Sequence, residues 1–81
     1  MEQIKSTIKD YILNEFLPGE DPAELTDTTT LISGGILDSL ATLKLVTFLE
    51  EKYGVEFQPH ELGAEYMDTI PAIVKLVSSK M

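Results

Sequence analysis

Apolar residues recur at helical spacing in the opening segment of the chain, MEQIKSTIKDYILNEFL. Charged residues of this segment fall mainly on the opposite side of the helix. The pattern predicts an amphipathic helix of about four turns that ends at Pro18-Gly19. Its apolar side consists of Ile4, Ile8, Tyr11, Ile12 and Phe16.

Two later segments also predict long helices. Asp38 is a good N-cap for a second helix that runs to about Tyr53 and ends at Gly54. The last helix begins near Thr69 and tolerates Pro71 in its first turn. Its apolar positions, Ile70, Ile73, Val74 and Val77, have the spacing i, i+3, i+4 and i+7.

The segments between these helices lack a clear period. In residues 18–37, Leu25, Leu31 and Ile32 are expected to pin a long loop across the bundle, and DPAEL forms a turn or a short helix. After Gly54, VEF alternates like a small strand, but Pro59 favours a short third helix. The predicted fold is all-α. It is a small four-helix bundle, three main helices and one short one, that forms a single domain over residues 1–81.

The second helix carries apolar residues on the side that faces solvent. A helical projection places Leu40 and Leu43 beside Ser39 and among the polar residues Lys44, Thr47, Glu50 and Glu51. Either the long loop folds back over the two leucines, or they form an exposed patch, edged by Glu50 and Glu51, on which a partner docks.

The charge of the chain narrows the classes of partner. Fourteen acidic residues oppose six basic ones, which gives a net charge of −8. Such a surface repels nucleic acids and anionic membranes and favours basic protein surfaces. There is no cysteine, no apolar run of membrane-spanning length and no signal-peptide pattern, so we expect a cytoplasmic protein.

Catalysis by the chain itself is a weak hypothesis. A nucleophilic Ser39 needs a nearby base, and the one histidine, His60, belongs to the short third helix and is expected to be a surface residue. The acidic residues Asp21, Glu24 and Asp27 lack the spacing of a calcium loop. We therefore predict neither catalytic residues nor metal ligands.

The sequence as a whole resembles the acyl carrier protein family. The resemblance rests on Asp38-Ser39-Leu40 at the start of a helix after a long loop that ends in GGIL, on FLEEKYGVEF, and on DTIPAIVKLV in the last helix. Length, acidity and the four-helix layout agree with it. The resemblance implies that Ser39 is esterified with 4'-phosphopantetheine by a magnesium-dependent phosphopantetheinyl transferase. The thiol of that group would carry an acyl group as a thioester.

The resemblance also implies roles for the neighbours of Ser39. Asp38 would belong to the motif that the transferase recognises, while Leu40, Leu43, Glu50 and Glu51 would contact partner enzymes. These partners would be a ligase or transferase that loads the carrier and the enzymes that process its acyl group. By analogy with the family, the protein would be a monomer.

The chain departs from the carriers of bacterial fatty acid synthesis after the serine. Ala41, Thr42 and Lys44 stand where those carriers usually have further acidic residues. LDSLATLKL and LEEKYGVEF look closer to D-alanyl carrier proteins and to carriers of specialised pathways. Three hypotheses stay open: a carrier for fatty acid, polyketide or related biosynthesis, a D-alanyl or other aminoacyl carrier, and an unmodified helical interaction module.

Overall fold

The computed structural model describes residues 2–81, apart from the side chains of residues 2 and 22. Four α-helices occur in this range: α1 (Glu2–Phe16), α2 (Ser39–Tyr53), α3 (Ala64–Met67) and α4 (Ile70–Lys80). Two short 3-10 turns, Pro22–Glu24 and Pro59–Glu61, lie in the connections. The described residues contain no strand. The prediction of three main helices and one short helix is confirmed, although Met1, which the predicted first helix included, lies outside the described residues.

The ends of the long helices follow local sequence signals. Asp38 caps α2 through its side chain, and Gly54 ends this helix with a left-handed φ of 66°. Thr69 caps α4, accepting the N–H of Ala72 at 3.3 Å. Pro71 lies in the first turn of α4, where its missing N–H breaks no intrahelical bond.

The predicted start of the third helix is wrong. Pro59 begins a single 3-10 turn, and the α-helix starts only at Ala64. The turn is closed because Glu61 accepts the backbone N–H of Gln58 at 2.8 Å. Glu61 also pairs with Lys80 at the end of α4, at 2.7 Å. Gly63, in an extended conformation, separates this turn from α3.

The core lies between α1, α2 and α4, with α3 packed against α4. Ile8, Ile12, Leu45, Leu49 and Ile73 have no exposed surface. Their burial supplies the main driving force for folding, because apolar surface removed from water stabilises the folded state. Leu25 and Leu31 of the long loop are also buried, which confirms that the loop is pinned across the bundle.

Two aromatic residues on α2 lie at the edge of the core rather than inside it. Phe48 and Tyr53 are only partly buried. The Phe48 ring instead stacks on Tyr11 of α1, with 4.1 Å between ring centroids. No helix among residues 2–81 has the length and apolar character needed to cross a membrane.

Candidate functional site

The N-terminus of α2 displays an exposed serine. Asp38 is extended (φ −85°, ψ −174°), and its Oδ1 accepts the backbone N–H of Ala41 at 2.8 Å. Its carbonyl oxygen accepts the N–H of Thr42 at 2.9 Å. Ser39 is the first residue of the helix and is exposed to solvent. The predicted cap and helix start are therefore confirmed.

The loop that leads to Ser39 is held by Asp68, at the junction of α3 and α4. The Asp68 carboxylate accepts three hydrogen bonds: from the backbone N–H of Ile32 at 2.9 Å, from the N–H of Ser33 at 2.8 Å and from the Ser33 hydroxyl at 2.7 Å. Its carbonyl oxygen accepts a fourth, from the N–H of Leu31. Leu37 then donates its N–H to the carbonyl oxygen of Leu31 at 2.8 Å, which closes the loop directly before Asp38.

These hydrogen bonds favour the charged form of Asp68. The backbone N–H and the hydroxyl of Ser33, together with the N–H of Ile32, lower the pKa of the carboxyl below its ordinary value of 3.8. Desolvation raises the pKa, but it is outweighed. The loop is thus tied to the helices by an ionised carboxylate at neutral pH.

A cleft of about 500 Å³ adjoins Ser39. The Ser39 cleft includes that residue and is also lined by Ile32, Leu37, Asp38, Thr42, Leu43 and Leu62. Thr42 lies three residues after Ser39, so both side chains are on the same side of the helix. The cleft is mostly apolar, and Thr42 supplies its one buried hydroxyl.

Leu40 and Leu43 are exposed by 63% and 54% of their surface. The long loop therefore does not fold back over these two leucines. They form an exposed apolar patch on α2. Leu43 also borders a second cleft of about 440 Å³ between α1 and α2. This α1–α2 groove is lined by Tyr11, Leu43, Lys44, Thr47, Phe48 and Glu51.

The neighbouring acids Glu50 and Glu51 lie in different surroundings. Glu51 is exposed at the α1–α2 groove. Glu50 is half-buried, and its Oε2 accepts the backbone N–H of Phe57 at 2.9 Å. Glu50 thus holds the chain that returns after α2.

Ser39 and His60 have different surroundings in the structure. The side chains that line the Ser39 cleft include no histidine, and His60 makes its ring contact with Tyr66, at 5.9 Å between centroids. No group of histidine and acidic residues within 2–81 has the arrangement of a metal site.

Comparison with known proteins identifies the family. Residues 12–77 match the family described as "Phosphopantetheine attachment site". The chain belongs to this family. Its domain is the site of covalent 4'-phosphopantetheine attachment, and its function is that of a carrier protein.

The relatives of this carrier differ in length. A D-alanyl carrier protein of Streptococcus suis (strain 98HAH33) is 32% identical over 78 residues, which cover 96% of this chain and 95% of that protein. A D-alanyl carrier protein of Lactobacillus acidophilus is 34% identical over 68 residues, 84% of each. The lincomycin biosynthesis protein LmbN of Streptomyces lincolnensis is 39% identical over 67 residues, 83% of this chain, but the chain spans only 24% of LmbN.

The geometry around Ser39 fits a phosphorylated group. The hydroxyl is exposed, and the backbone N–H groups of the first helical turn, which have no intrahelical acceptor, create a positive potential there. The Ser39 cleft adds apolar surface and a hydroxyl beside this position. When bound, the cofactor supplies a thiol for a thioester, which this cysteine-free chain lacks.

Two residues of the site were not among the predicted site residues. Thr42 lies between the buried positions Leu45 and Val46 in a helical projection, so its burial had a local signal. Asp68 had none. Its hydrogen-bond partners lie 35 and 36 residues earlier in the chain, and only the tertiary fold brings them together.

Proposed function

We propose that Ser39 is the residue that carries 4'-phosphopantetheine. The observation that carries this proposal is the difference between the two serines inside the matched region, Ser33 and Ser39. The Ser33 hydroxyl donates to Asp68 at 2.7 Å and holds the loop, whereas Ser39 is exposed at a helix N-terminus. A phosphodiester on Ser39 is favoured by the N–H groups and the dipole of α2.

In this proposal Ser39 needs no base of its own. A separate magnesium-dependent transferase supplies the chemistry that joins the group to the serine, and the carrier supplies a correctly positioned hydroxyl. The chain then acts as a non-catalytic substrate of the transferase and of the enzymes that load and unload the arm. The absence of a histidine from the side chains lining the Ser39 cleft is compatible with this role.

Asp38 has a second role in the proposal, as part of the surface that the transferase recognises. Its Oδ1 caps α2, and the residue is exposed, so its negative charge is available to a basic partner. Asn caps a helix about as well as Asp does. Asp38→Asn should therefore keep the stability of the apo protein and lower kcat/KM of the transferase, whereas Asp38→Ala should lower both.

Leu40, Leu43 and Glu51 form the proposed docking patch for partner enzymes. The two leucines offer apolar surface that the fold leaves exposed, and Glu51 offers a charge that is attractive to basic surfaces. Glu50 was also expected to contact partners. Its carboxylate is already bonded to the backbone of Phe57, so its contribution to docking in this proposal is secondary.

The cargo we propose is an amino acid, with D-alanine as the first candidate. This choice is supported by two relatives named D-alanyl carrier protein, which the chain matches over 95% and 84% of their length. It is also supported by Ala41, Thr42 and Lys44 in place of acids after Ser39. A dedicated ligase would load the amino acid. Another short acyl unit is the second candidate, because the specialised-pathway relative LmbN also matches.

Intact mass spectrometry tests the attachment site. Purified apo protein is incubated with coenzyme A, magnesium and a broad-specificity transferase. Wild type and Ser33→Ala should each gain the mass of one phosphopantetheine group, and Ser39→Ala should gain none. The proposal fails if wild type gains no mass or if Ser39→Ala is still modified. An unmodified interaction module would give the first of these results.

The holo protein then tests the cargo. It is incubated with ATP, D-alanine and a ligase that loads D-alanyl carrier proteins. One comparison replaces D-alanine with L-alanine. A second comparison uses a short fatty acid and a ligase specific for that fatty acid. A mass increase of one alanyl group that occurs with D-alanine but not with L-alanine, and that is removed by hydroxylamine, identifies a thioester of D-alanine. Loading by the fatty acid ligase alone would exclude the aminoacyl assignment and keep the carrier function.

A further inference from the structure

The α1–α2 groove has an aromatic surface that is formed within the protein itself. The rings of Tyr11 and Phe48, which both line the groove, stack with 4.1 Å between their centroids. The Tyr11 hydroxyl also donates to the backbone carbonyl oxygen of Lys44 at 3.4 Å. Both contacts join α1 to α2, so this surface is in place before a partner binds. A preorganised surface loses less entropy on binding than a mobile one.

The groove carries one positive and one negative side chain. Of the described residues that line it, only Lys44 and Glu51 are charged, and both are exposed. Neither side chain has an ion pair or a hydrogen bond to another described residue. The Thr47 hydroxyl, in contrast, donates to the carbonyl oxygen of Leu43 at 2.9 Å. The two charges are therefore the polar groups that the groove offers to a partner.

The two charges have a fixed order relative to Ser39. Lys44 and Glu51 are two helical turns apart, so they lie on the same side of α2 and about 10 Å apart along its axis. Lys44 is the nearer of the two to Ser39. A partner with matching charges binds in one direction only, because the reversed orientation brings like charges together.

The charge of Lys44 differs from that of its surroundings in the sequence. Lys44 is the one basic residue in the range 10–51, where all the other charged residues are acidic. A uniformly basic partner surface is attracted by those acids but repelled at Lys44. The groove therefore fits a partner that places an acidic side chain opposite Lys44 and a basic side chain opposite Glu51.

We infer that the α1–α2 groove orients the enzyme that loads the amino acid, and that Lys44 selects this enzyme among carrier-binding proteins. The inference rests on the proposed attachment to Ser39 and the proposed aminoacyl cargo. The matching surface of the ligase has an acidic and a basic side chain about 10 Å apart. An apolar side chain between them packs on Tyr11 and Phe48. Loading is the step that determines the cargo, so discrimination by charge order acts there.

A charge swap tests the inference through the loading kinetics of the holo protein. The groove swap, Lys44→Glu with Glu51→Lys, reverses the order of the charges and keeps the net charge of −8. The control swap, Lys75→Glu with Glu65→Lys, makes the same exchange at exposed residues of α4 and α3. The assay contains ATP, D-alanine and a ligase that loads D-alanyl carrier proteins.

The groove swap should raise KM for the carrier about tenfold at low salt and leave kcat unchanged, because two attractive pairs become repulsive. The increase should shrink at high salt, which screens exposed charges. The control swap should keep KM within about twofold of wild type. Lys44 and Glu51 are exposed, so the groove swap should unfold at the same urea concentration as wild type.

The two single substitutions separate charge order from net charge. Lys44→Glu makes the chain more negative, and Glu51→Lys makes it less negative. A general attraction between an acidic carrier and a basic ligase would shift KM in opposite directions in these two variants. The groove predicts that both variants raise KM, because each loses one matched pair.

The inference is overturned if the groove swap is loaded as well as wild type, or if the two single variants shift KM in opposite directions. Failure of the proposed function looks different. If the ligase loaded neither wild type nor the control swap, the D-alanyl cargo would be wrong, and this partner with it. If wild type gained no phosphopantetheine mass, the attachment itself would be wrong.

Discussion

The Glu50 carboxylate accepts the backbone N–H of Phe57 at 2.9 Å, across the turn that follows α2. Gly54 reverses the chain with a φ of 66°, and this brings Val55 and Phe57 back to the core, where both are buried. Glu50 thus caps a backbone group of the returning segment. Glu51, one residue later in α2, is exposed to solvent.

Substitution of these two acids should therefore have different consequences. Glu50→Ala leaves a part-buried N–H without its acceptor and should lower the free energy of unfolding by about 1–2 kcal/mol. Glu51→Ala should change it by less than about 0.5 kcal/mol, as expected for an exposed residue. Urea unfolding of the two apo variants measures this. Equal stabilities would show that the Glu50–Phe57 bond contributes nothing.

Leu40 and Leu43 should matter for partners and little for folding. Because both are more than half exposed, Leu40→Gln and Leu43→Gln should leave the free energy of unfolding within about 0.5 kcal/mol of wild type. Loss of an apolar docking contact should reduce kcat/KM of the transferase about fivefold or more. If a variant that carries both substitutions had an unchanged transferase kcat/KM, the two leucines would not belong to the proposed docking patch.

A buried leucine of the same helix provides the control. Leu45 has no exposed surface, and Leu45→Ala should cost about 2–5 kcal/mol of stability through the cavity that it creates. Its kinetic defect should disappear when the assay is restricted to the folded fraction, whereas the defect of the Leu40 and Leu43 variants should persist.

The bounds of α2 were predictable, but the partners of its side chains were not. Asp38 is a local start signal and Gly54 a local stop signal, and the period between them predicts the exposed leucines. The helical projection places Glu50 by angle alone, so it cannot detect that Phe57 returns beside it. The start of the third helix was also predicted wrongly. Pro59 begins a 3-10 turn instead of an α-helix, and Glu61 of this turn pairs with Lys80, nineteen residues away in the chain.

The hydrogen bonds of Asp68 make part of the stability dependent on pH. Its pKa is below 3.8 in the folded protein and ordinary in the unfolded chain, so the unfolded state binds a proton first as the pH falls. The stabilisation is therefore complete above about pH 5 and is lost as the pH falls through the folded pKa. The difference in Tm between wild type and Asp68→Asn should be largest near pH 7 and should shrink below about pH 4.

Thermal unfolding between pH 7 and pH 3 measures this difference. Ser33→Ala, which removes one of the three donors, should give a smaller loss of Tm at pH 7 than Asp68→Asn does. Asp10→Asn, at an exposed residue of α1, controls for the loss of one negative charge. A Tm difference between wild type and Asp68→Asn that stays constant down to pH 3 would contradict the assignment.

The two glycines before α2 should be required for different physical reasons. A Cβ on Gly34 would press against the carbonyl oxygen and hydroxyl of Thr30, so Gly34→Ala must displace the loop. Gly35 has open space but a φ of +83°, so Gly35→Ala should cost about 1–2 kcal/mol of backbone strain. Asn tolerates this conformation better than Ala, and Gly35→Asn should recover part of the loss.

Urea unfolding ranks these variants, and transferase kinetics show whether the loop also positions Ser39. Because Leu37 closes the loop onto Leu31 directly before Asp38, a displaced loop should move the start of α2. Gly34→Ala should then lower kcat/KM even when the assay contains only folded protein, whereas Gly35→Asn should lose stability with near-normal kinetics. Normal kinetics in folded Gly34→Ala would mean that the Asp38 cap alone is sufficient to present the serine.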